Sequence, residues 1–119
     1  INLSKQSINP GKNFGPYGIA KASALFMMKQ YALECGKHNI RVNGVNADRI
    51  QSGLLTKKMI TQRSKARGIK ESDYLKNNLL NKEVTATDVA ESFFVQLSLD
   101  KTTANIITVD GGNIEASLR

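Results

Sequence analysis

Pro16-Tyr-Gly-Ile-Ala-Lys-Ala-Ser-Ala-Leu-Phe-Met-Met-Lys-Gln-Tyr-Ala-Leu-Glu-Cys35 is the stretch that decides the fold. From Tyr17 to about Lys37 its apolar residues recur at helical spacing. Ala20, Ala24, Leu25, Met28, Ala32 and Leu33 fall on one side, and Ile19, Phe26, Met27 and Tyr31 on the other. Pro16 suits a first turn, and Gly36 and Asn39 suit an end. A helix apolar nearly all round must be covered twice. One cover is expected from the chain's own sheet. The second is expected from the same helix of another subunit, giving a homodimer or homotetramer through residues 17–37.

The segments on either side read as strands. Ile1-Asn2-Leu3 looks like the end of a buried strand, followed by a loop from Ser4 to Pro16, where Asn9-Pro10-Gly11 and Gly15-Pro16 break both periods. Ile40 to Asn46 alternates briefly as a short strand. Ser52 to Leu80 reads as two helices, or a helix and a flap, with Gly68 between them. Thr85-Ala-Thr-Asp88 predicts a capping box for a helix to about Leu99, with Val89, Ala90, Phe93, Phe94 and Leu97 as its core face. Asn105 to Val109 is a β-branched strand, Asp110-Gly-Gly112 a tight turn, and the tail to Arg119 is short. Strand, helix, strand, helices, strand is the alternation of a parallel α/β sheet.

At 119 residues the chain is one domain at most, and short for a complete nucleotide-binding α/β enzyme. Its apolar share of 40% and charged share of 23% argue against disorder. The single Cys35 excludes an intrachain disulfide. It has no His or Cys at ligand spacing, so it reads as a small buried hydrophobe and no metal site is expected. His38 reads as a cap just beyond the helix. No apolar run of about 18 residues or signal peptide is seen, so the cytoplasm is the expected compartment. Most of the +7 net charge comes from Lys57, Lys58, Arg63, Lys65, Arg67 and Lys70, in a segment whose acids begin only at Glu71. This reads as a solvated helical surface. A basic nucleic-acid patch is the alternative, but only Tyr74 supplies an aromatic ring there.

Chemistry enters with Tyr17 and Lys21, four apart and therefore on one helix face, and with Ser4 thirteen residues upstream. A phenol beside a fixed ammonium ionises more easily, and a nearby hydroxyl holds a substrate oxygen. Such a set moves protons on an alcohol or carbonyl. No glycine-rich loop accompanies it, so the chain reads as the second half of an enzyme.

Four motifs stand in order: Asn2-Leu-Ser4, Tyr17-x-x-x-Lys21, Arg41-Val-Asn-x-Val45 and Val109-Asp-Gly-Gly112. Together they resemble the C-terminal half of a short-chain dehydrogenase/reductase. The resemblance covers essentially the whole chain and implies a partial Rossmann-like, doubly wound parallel sheet whose first βαβ units would precede Ile1. Phe14-Gly-Pro-Tyr17, Asn46-Ala-Asp-Arg-Ile50 and Ser52-Gly-Leu-Leu-Thr56 are similar to the dehydrogenase portion of bifunctional rhamnulose-phosphate aldolase/alcohol dehydrogenases. That likeness implies a small alcohol or hydroxyaldehyde such as lactaldehyde as substrate.

On this resemblance Tyr17 is the general acid/base, Lys21 supports it and binds the nicotinamide ribose, and Ser4 bonds the substrate oxygen, with Ser7 as rival. Asp48, Ile50 and Ser52 would line the cofactor, NAD or NADP with NAD favoured. The chain departs from the family at two places: Lys5 stands where a second serine is frequent, and Ala47-Asp48 replaces Pro-Gly. Residues 52–80 fall in the family's lid region. Without the missing half, the chain should bind a dinucleotide poorly and should associate or unfold through bare apolar surface. Two readings of another class remain: a noncatalytic remnant acting by self-association, and a nucleic-acid binder.

Overall fold

The computed structural model describes residues 1–113, so the short tail expected after Asn113 lies outside the described residues. The chain runs β1 (Asn2–Ser4), a 3-10 turn (Lys5–Ser7), α1 (Gly15–Cys35), β2 (Gly44–Ala47), α2 (Lys57–Arg67), α3 (Glu71–Tyr74), α4 (Ala86–Ser98) and β3 (Ile106–Val109). The strands are parallel in the order β1-β2-β3, with Leu3 opposite Asn46 and Ala47 opposite Val109. This is the expected α/β alternation. The carboxyl ends of all three strands therefore lie along one edge, where open α/β sheets bind ligands.

Leu3, Leu25 and Met28 form the main core, with Ile1, Ala24, Val42 and Ile106 packed around them. Met28 is fully buried, worth roughly 1.5–3 kcal/mol relative to exposure. Its approach explains Gly44: a Cβ there would lie 2.6 Å from Leu3 Cδ1 and 2.8 Å from Met28 Sδ. Alternation along β2 turns the fully buried Val45 to the other face of the sheet. There α4 packs against β2 and β3.

The capping box forms as predicted. Thr85 Oγ1 accepts from the Asp88 N–H, and Asp88 Oδ2 accepts from the Thr85 N–H at 2.7 Å. The α4 core face does not. Val89 and Phe93 are half-buried, but Ala90, Phe94 and Leu97 stand open, Phe94 at 75% exposure. The buried residue is Gln96, whose Nε2 donates to the Gly44 carbonyl at 2.7 Å. A three-strand sheet covers only a narrow stripe of the helix, and the polar residue at the seam finds a backbone acceptor.

The first face of α1 is likewise narrower than its pattern: Leu25, Met28 and Ala32 are buried, whereas Ala20 and Leu33 are exposed. The second face, with Ile19, Phe26, Met27 and Tyr31, is open as expected for a surface that needs another cover. Cys35 is half-buried rather than buried. The helix ends there, and a 3-10 turn over Gly36–His38 carries the chain to Asn39 in the left-handed region. The strand expected from Ile40 begins only at Gly44.

Residues 40–43 are held instead by side chains. Arg41 donates to the carbonyls of Gln96 (3.0 Å), Leu97 (3.0 Å) and Leu99 (3.1 Å), where α4 ends and its last carbonyls lack helical partners; the Gln96 and Leu99 carbonyls also accept from Leu99 and Thr102. Asn43 Oδ1 accepts from the Asn105 N–H and its Nδ2 donates to the Thr102 carbonyl. The Arg-Val-Asn motif is thus a brace between β2 and the α4–β3 connection.

Residues 52–80 hold two helices, α2 and α3, with Gly68 capping the first. They carry their own small core of Leu55, Ile60 and Tyr74. Among the described residues no helix is long and apolar enough to cross a membrane.

Candidate active site

The carboxyl edge of the sheet gathers the residues singled out by sequence. β1 ends at Ser4, which is buried, and the chain turns directly into the 3-10 segment packed on α1. Ser4 Oγ accepts from the Gln6 N–H at 3.3 Å, which leaves its own hydrogen free to donate. Ser7 is also buried, and its Oγ has no hydrogen-bond partner among the described residues. Both serines of the open alternative therefore retain a donor.

Pro16 sits in the first turn of α1 and starts the helix, so Tyr17 and Lys21 share its opening face. The Lys21 ammonium lies 5.8 Å from the Tyr17 ring centroid and donates to the Asn2 carbonyl at 2.9 Å. That bond ties α1 to β1 and fixes the cation beside the phenol. It uses one of three ammonium hydrogens.

Asp48 follows β2, and its Oδ2 collects three contacts: Lys5 Nζ at 3.1 Å, Asn113 Nδ2 at 2.9 Å and Arg49 Nε at 3.3 Å. The ends of all three strands are thereby tied to one carboxylate. Arg49 is in the left-handed region (φ 56°), and its Nη1 donates to the carbonyls of Tyr74 (3.3 Å) and Asn77 (3.1 Å). It fastens the 52–80 segment to the strand edge. Ile50 is half-buried, and Ser52 is exposed, its Oγ accepting from the N–H groups of Leu54 and Leu55. The Ser52 hydroxyl shapes its own turn.

The Asp110-Gly-Gly turn forms as expected, with Gly111 and Gly112 at φ 67° and 89° and Asp110 Oδ1 accepting from the Gly112 N–H at 2.9 Å. A second reason for these glycines was not legible. The N–H groups of Leu79 and Leu80 bond the Gly112 and Gly111 carbonyls, and a Cβ on Gly112 would lie 2.9 Å from Leu79 Cβ.

Sequence reasoning missed how rings and guanidinium groups stack near Tyr17 and Tyr74. The Phe14 ring meets the Tyr17 ring edge-on at 6.0 Å, and the Arg63 guanidinium of α2 lies 4.9 Å over Phe14. Arg49 and Arg67 lie over the buried Tyr74 ring. For Arg63 and Arg67 the available signal was the excess of positive charge in residues 57–70.

Comparison with known proteins bears on this arrangement. Residues 1–113 match the family model described as enoyl-(acyl carrier protein) reductase. The chain is 35% identical over 117 residues to the uncharacterized oxidoreductase YuxG of Bacillus subtilis, covering 92% of this chain and 17% of YuxG. It is 32% identical over 111 residues to the NADH-named enoyl-[acyl-carrier-protein] reductase FabI of Buchnera aphidicola, covering 92% of this chain and 40% of FabI. The solved structure of a short-chain type dehydrogenase/reductase from Mycobacterium ulcerans superposes with a TM-score of 0.76 at 29% identity, covering 93% of this chain and 39% of that one. The chain belongs to the short-chain dehydrogenase/reductase family. It spans less than half the length of the curated relatives it matches.

Proposed function

We propose that residues 1–119 are the C-terminal catalytic portion of a nicotinamide-dependent alcohol dehydrogenase, with Tyr17, Lys21 and Ser4 as its reacting set. The Lys21 ammonium, held between the Asn2 carbonyl and the Tyr17 ring, carries this reading. Tyr17 exchanges the substrate hydroxyl proton, with the Lys21 ammonium held beside its ring. Ser4, with its hydrogen unspent, donates to the substrate oxygen and polarises a carbonyl or steadies an alkoxide. Ser7 is the alternative donor, since its buried hydroxyl has no other partner among the described residues.

The residues present suit the nicotinamide end of a dinucleotide. Lys21 has two ammonium hydrogens beyond its Asn2 bond for the ribose hydroxyls, and Asp48, Ile50 and Ser52 border the same edge. The nicotinamide, when bound, supplies or accepts the hydride. NAD is favoured over NADP, supported by the NADH of the FabI name. Within this portion, residues 52–80 form the substrate lid.

The substrate is a small alcohol or hydroxyaldehyde, lactaldehyde-like, on the sequence likeness to the bifunctional aldolase/dehydrogenases. The open faces of α1 support assembly into a homodimer or homotetramer, and the cytoplasm is the expected compartment. Tyr17→Phe in the full-length protein should reduce turnover by at least about a hundredfold without loss of fold, within the usual range for a general acid/base. An unchanged rate would remove this reading.

A further inference from the structure

The basic side chains of α2 have no role in the reading above, yet one of them, Arg63, reaches the ring that meets Tyr17. From Ser52 to Lys70 the chain carries Lys57, Lys58, Arg63, Lys65, Arg67 and Lys70 and no acid. Arg63 alone of these lies over Phe14, one aromatic ring away from Tyr17. It is half-buried, and its guanidinium has no carboxylate partner among the described residues. The other guanidinium contacts are spent on structure: Arg49 bonds two carbonyls and pairs with Asp48 at 3.3 Å, and Arg67 covers Tyr74. Asp48, a carboxylate at the strand edge, is itself engaged by Lys5.

A guanidinium lying over an aromatic ring keeps its edge free. The ring takes the planar face, while the N–H groups point outward in a fork that matches two oxygens of a carboxylate or phosphate. The surrounding lysines add a positive field that draws anions toward the same opening.

We propose that Arg63 selects an anionic substrate, holding its carboxylate or phosphate while the hydroxyl or carbonyl group reacts at Tyr17. This rests on the dehydrogenase reading and departs from uncharged lactaldehyde in one respect: the small alcohol or hydroxyaldehyde carries an acidic oxygen group. Arg63 is a specificity residue, since it meets the part of the substrate that does not react.

The test compares three alcohols of similar size in the full-length protein with NAD or NADP: propane-1,2-diol, lactate and glycerol 1-phosphate. Wild type is expected to favour lactate or glycerol 1-phosphate over the diol by at least about tenfold in kcat/KM, and whichever of the two wins identifies the group. Arg63→Gln should raise KM for the favoured anion by about ten- to a hundredfold, as for a lost charge-assisted hydrogen bond. The diol, which has no anionic group, should lose several-fold less in kcat/KM than the favoured anion. Arg63→Lys should recover part of the loss.

A wild-type preference for the diol, or an equal effect of Arg63→Gln on charged and uncharged substrates, would overturn the proposal while leaving the dehydrogenase reading standing. Should Arg63→Gln lose all three substrates through misfolding, Arg63→Lys decides. A weakened anion preference there supports the proposal, and an unaltered one overturns it. Failure of wild type to oxidise any of the three overturns this proposal; if Tyr17→Phe also leaves the turnover of another alcohol that wild type oxidises unchanged, the dehydrogenase reading falls with it.

Discussion

Lys5 and Asp48 meet at the carboxyl edge of the sheet, Nζ to Oδ2 at 3.1 Å, with side chains only 22% and 10% exposed. These are the two places where the sequence departs from its family's pattern, and they contact each other. A lysine replaces a hydroxyl after Ser4, and the loop after β2 supplies the carboxylate that receives it. The pair links the strand carrying Ser4 to the loop proposed to flank the cofactor.

The two residues should differ in sensitivity. Lys5→Met leaves Asp48 with Asn113 and Arg49, so its cost should be about 1–2 kcal/mol. Asp48→Ala strips the acceptor from two donors and the counter-charge from Arg49 in one half-buried cluster, and should cost about 3 kcal/mol or more. Urea unfolding of the protein carrying each variant measures this, and equal losses would show that Asn113 and Arg49 contribute nothing. The double variant should lose less than the sum of the singles, because the partners share one interaction.

Arg41 should prove irreplaceable by lysine. Its guanidinium reaches three carbonyls at the end of α4, a geometry that a single ammonium cannot reproduce. Arg41→Ala and Arg41→Lys are each expected to lower stability, by about 3 and about 2 kcal/mol. Hydrogen exchange should quicken first in the last turn of α4. Wild-type behaviour of Arg41→Lys would mean that charge near the helix end, rather than the fork, is what matters.

The capping box makes α4 sensitive to acid. Hydrogen bonds from the Thr85 N–H and hydroxyl hold the Asp88 carboxyl below its ordinary value of 3.8. A carboxyl lowered in the folded state stabilises it at pH values above 3.8, and this contribution is lost as pH falls below that value. Asp88→Asn should therefore flatten the acid limb of a stability-against-pH curve and leave the neutral-to-alkaline limb parallel to wild type. An unaltered acid limb would show that Asp88 is not linked to unfolding.

The parallel alternation, the caps and the Tyr17–Lys21 pair were legible because each depends on residues close in sequence. Thr85 and Asp88 are three apart, and Tyr17 and Lys21 four. What stayed hidden lies between residues distant in sequence. Gln96 is buried through a bond to Gly44, fifty-two residues away, and Arg41 reads as a strand residue until α4 arrives above it. The periodicity of α4 overstated its core because a pattern records every face that needs cover, whereas this sheet meets only one stripe. Arg63 was visible only as charge, since its partner Phe14 belongs to a loop on the other side of β2.

The separate packing of Leu55, Ile60 and Tyr74 bears on how a ligand gets in. These side chains satisfy one another rather than the sheet, so residues 52–80 are a preassembled body whose attachment to the rest is mainly polar: Arg49 to two carbonyls, Leu79 and Leu80 to the glycine turn, and Arg63 over Phe14. Admission of a ligand can then proceed by exchanging hydrogen bonds and a guanidinium contact for water, with little wetting of apolar surface. For the proposed lid, an attachment of this kind gives a small heat-capacity change on opening.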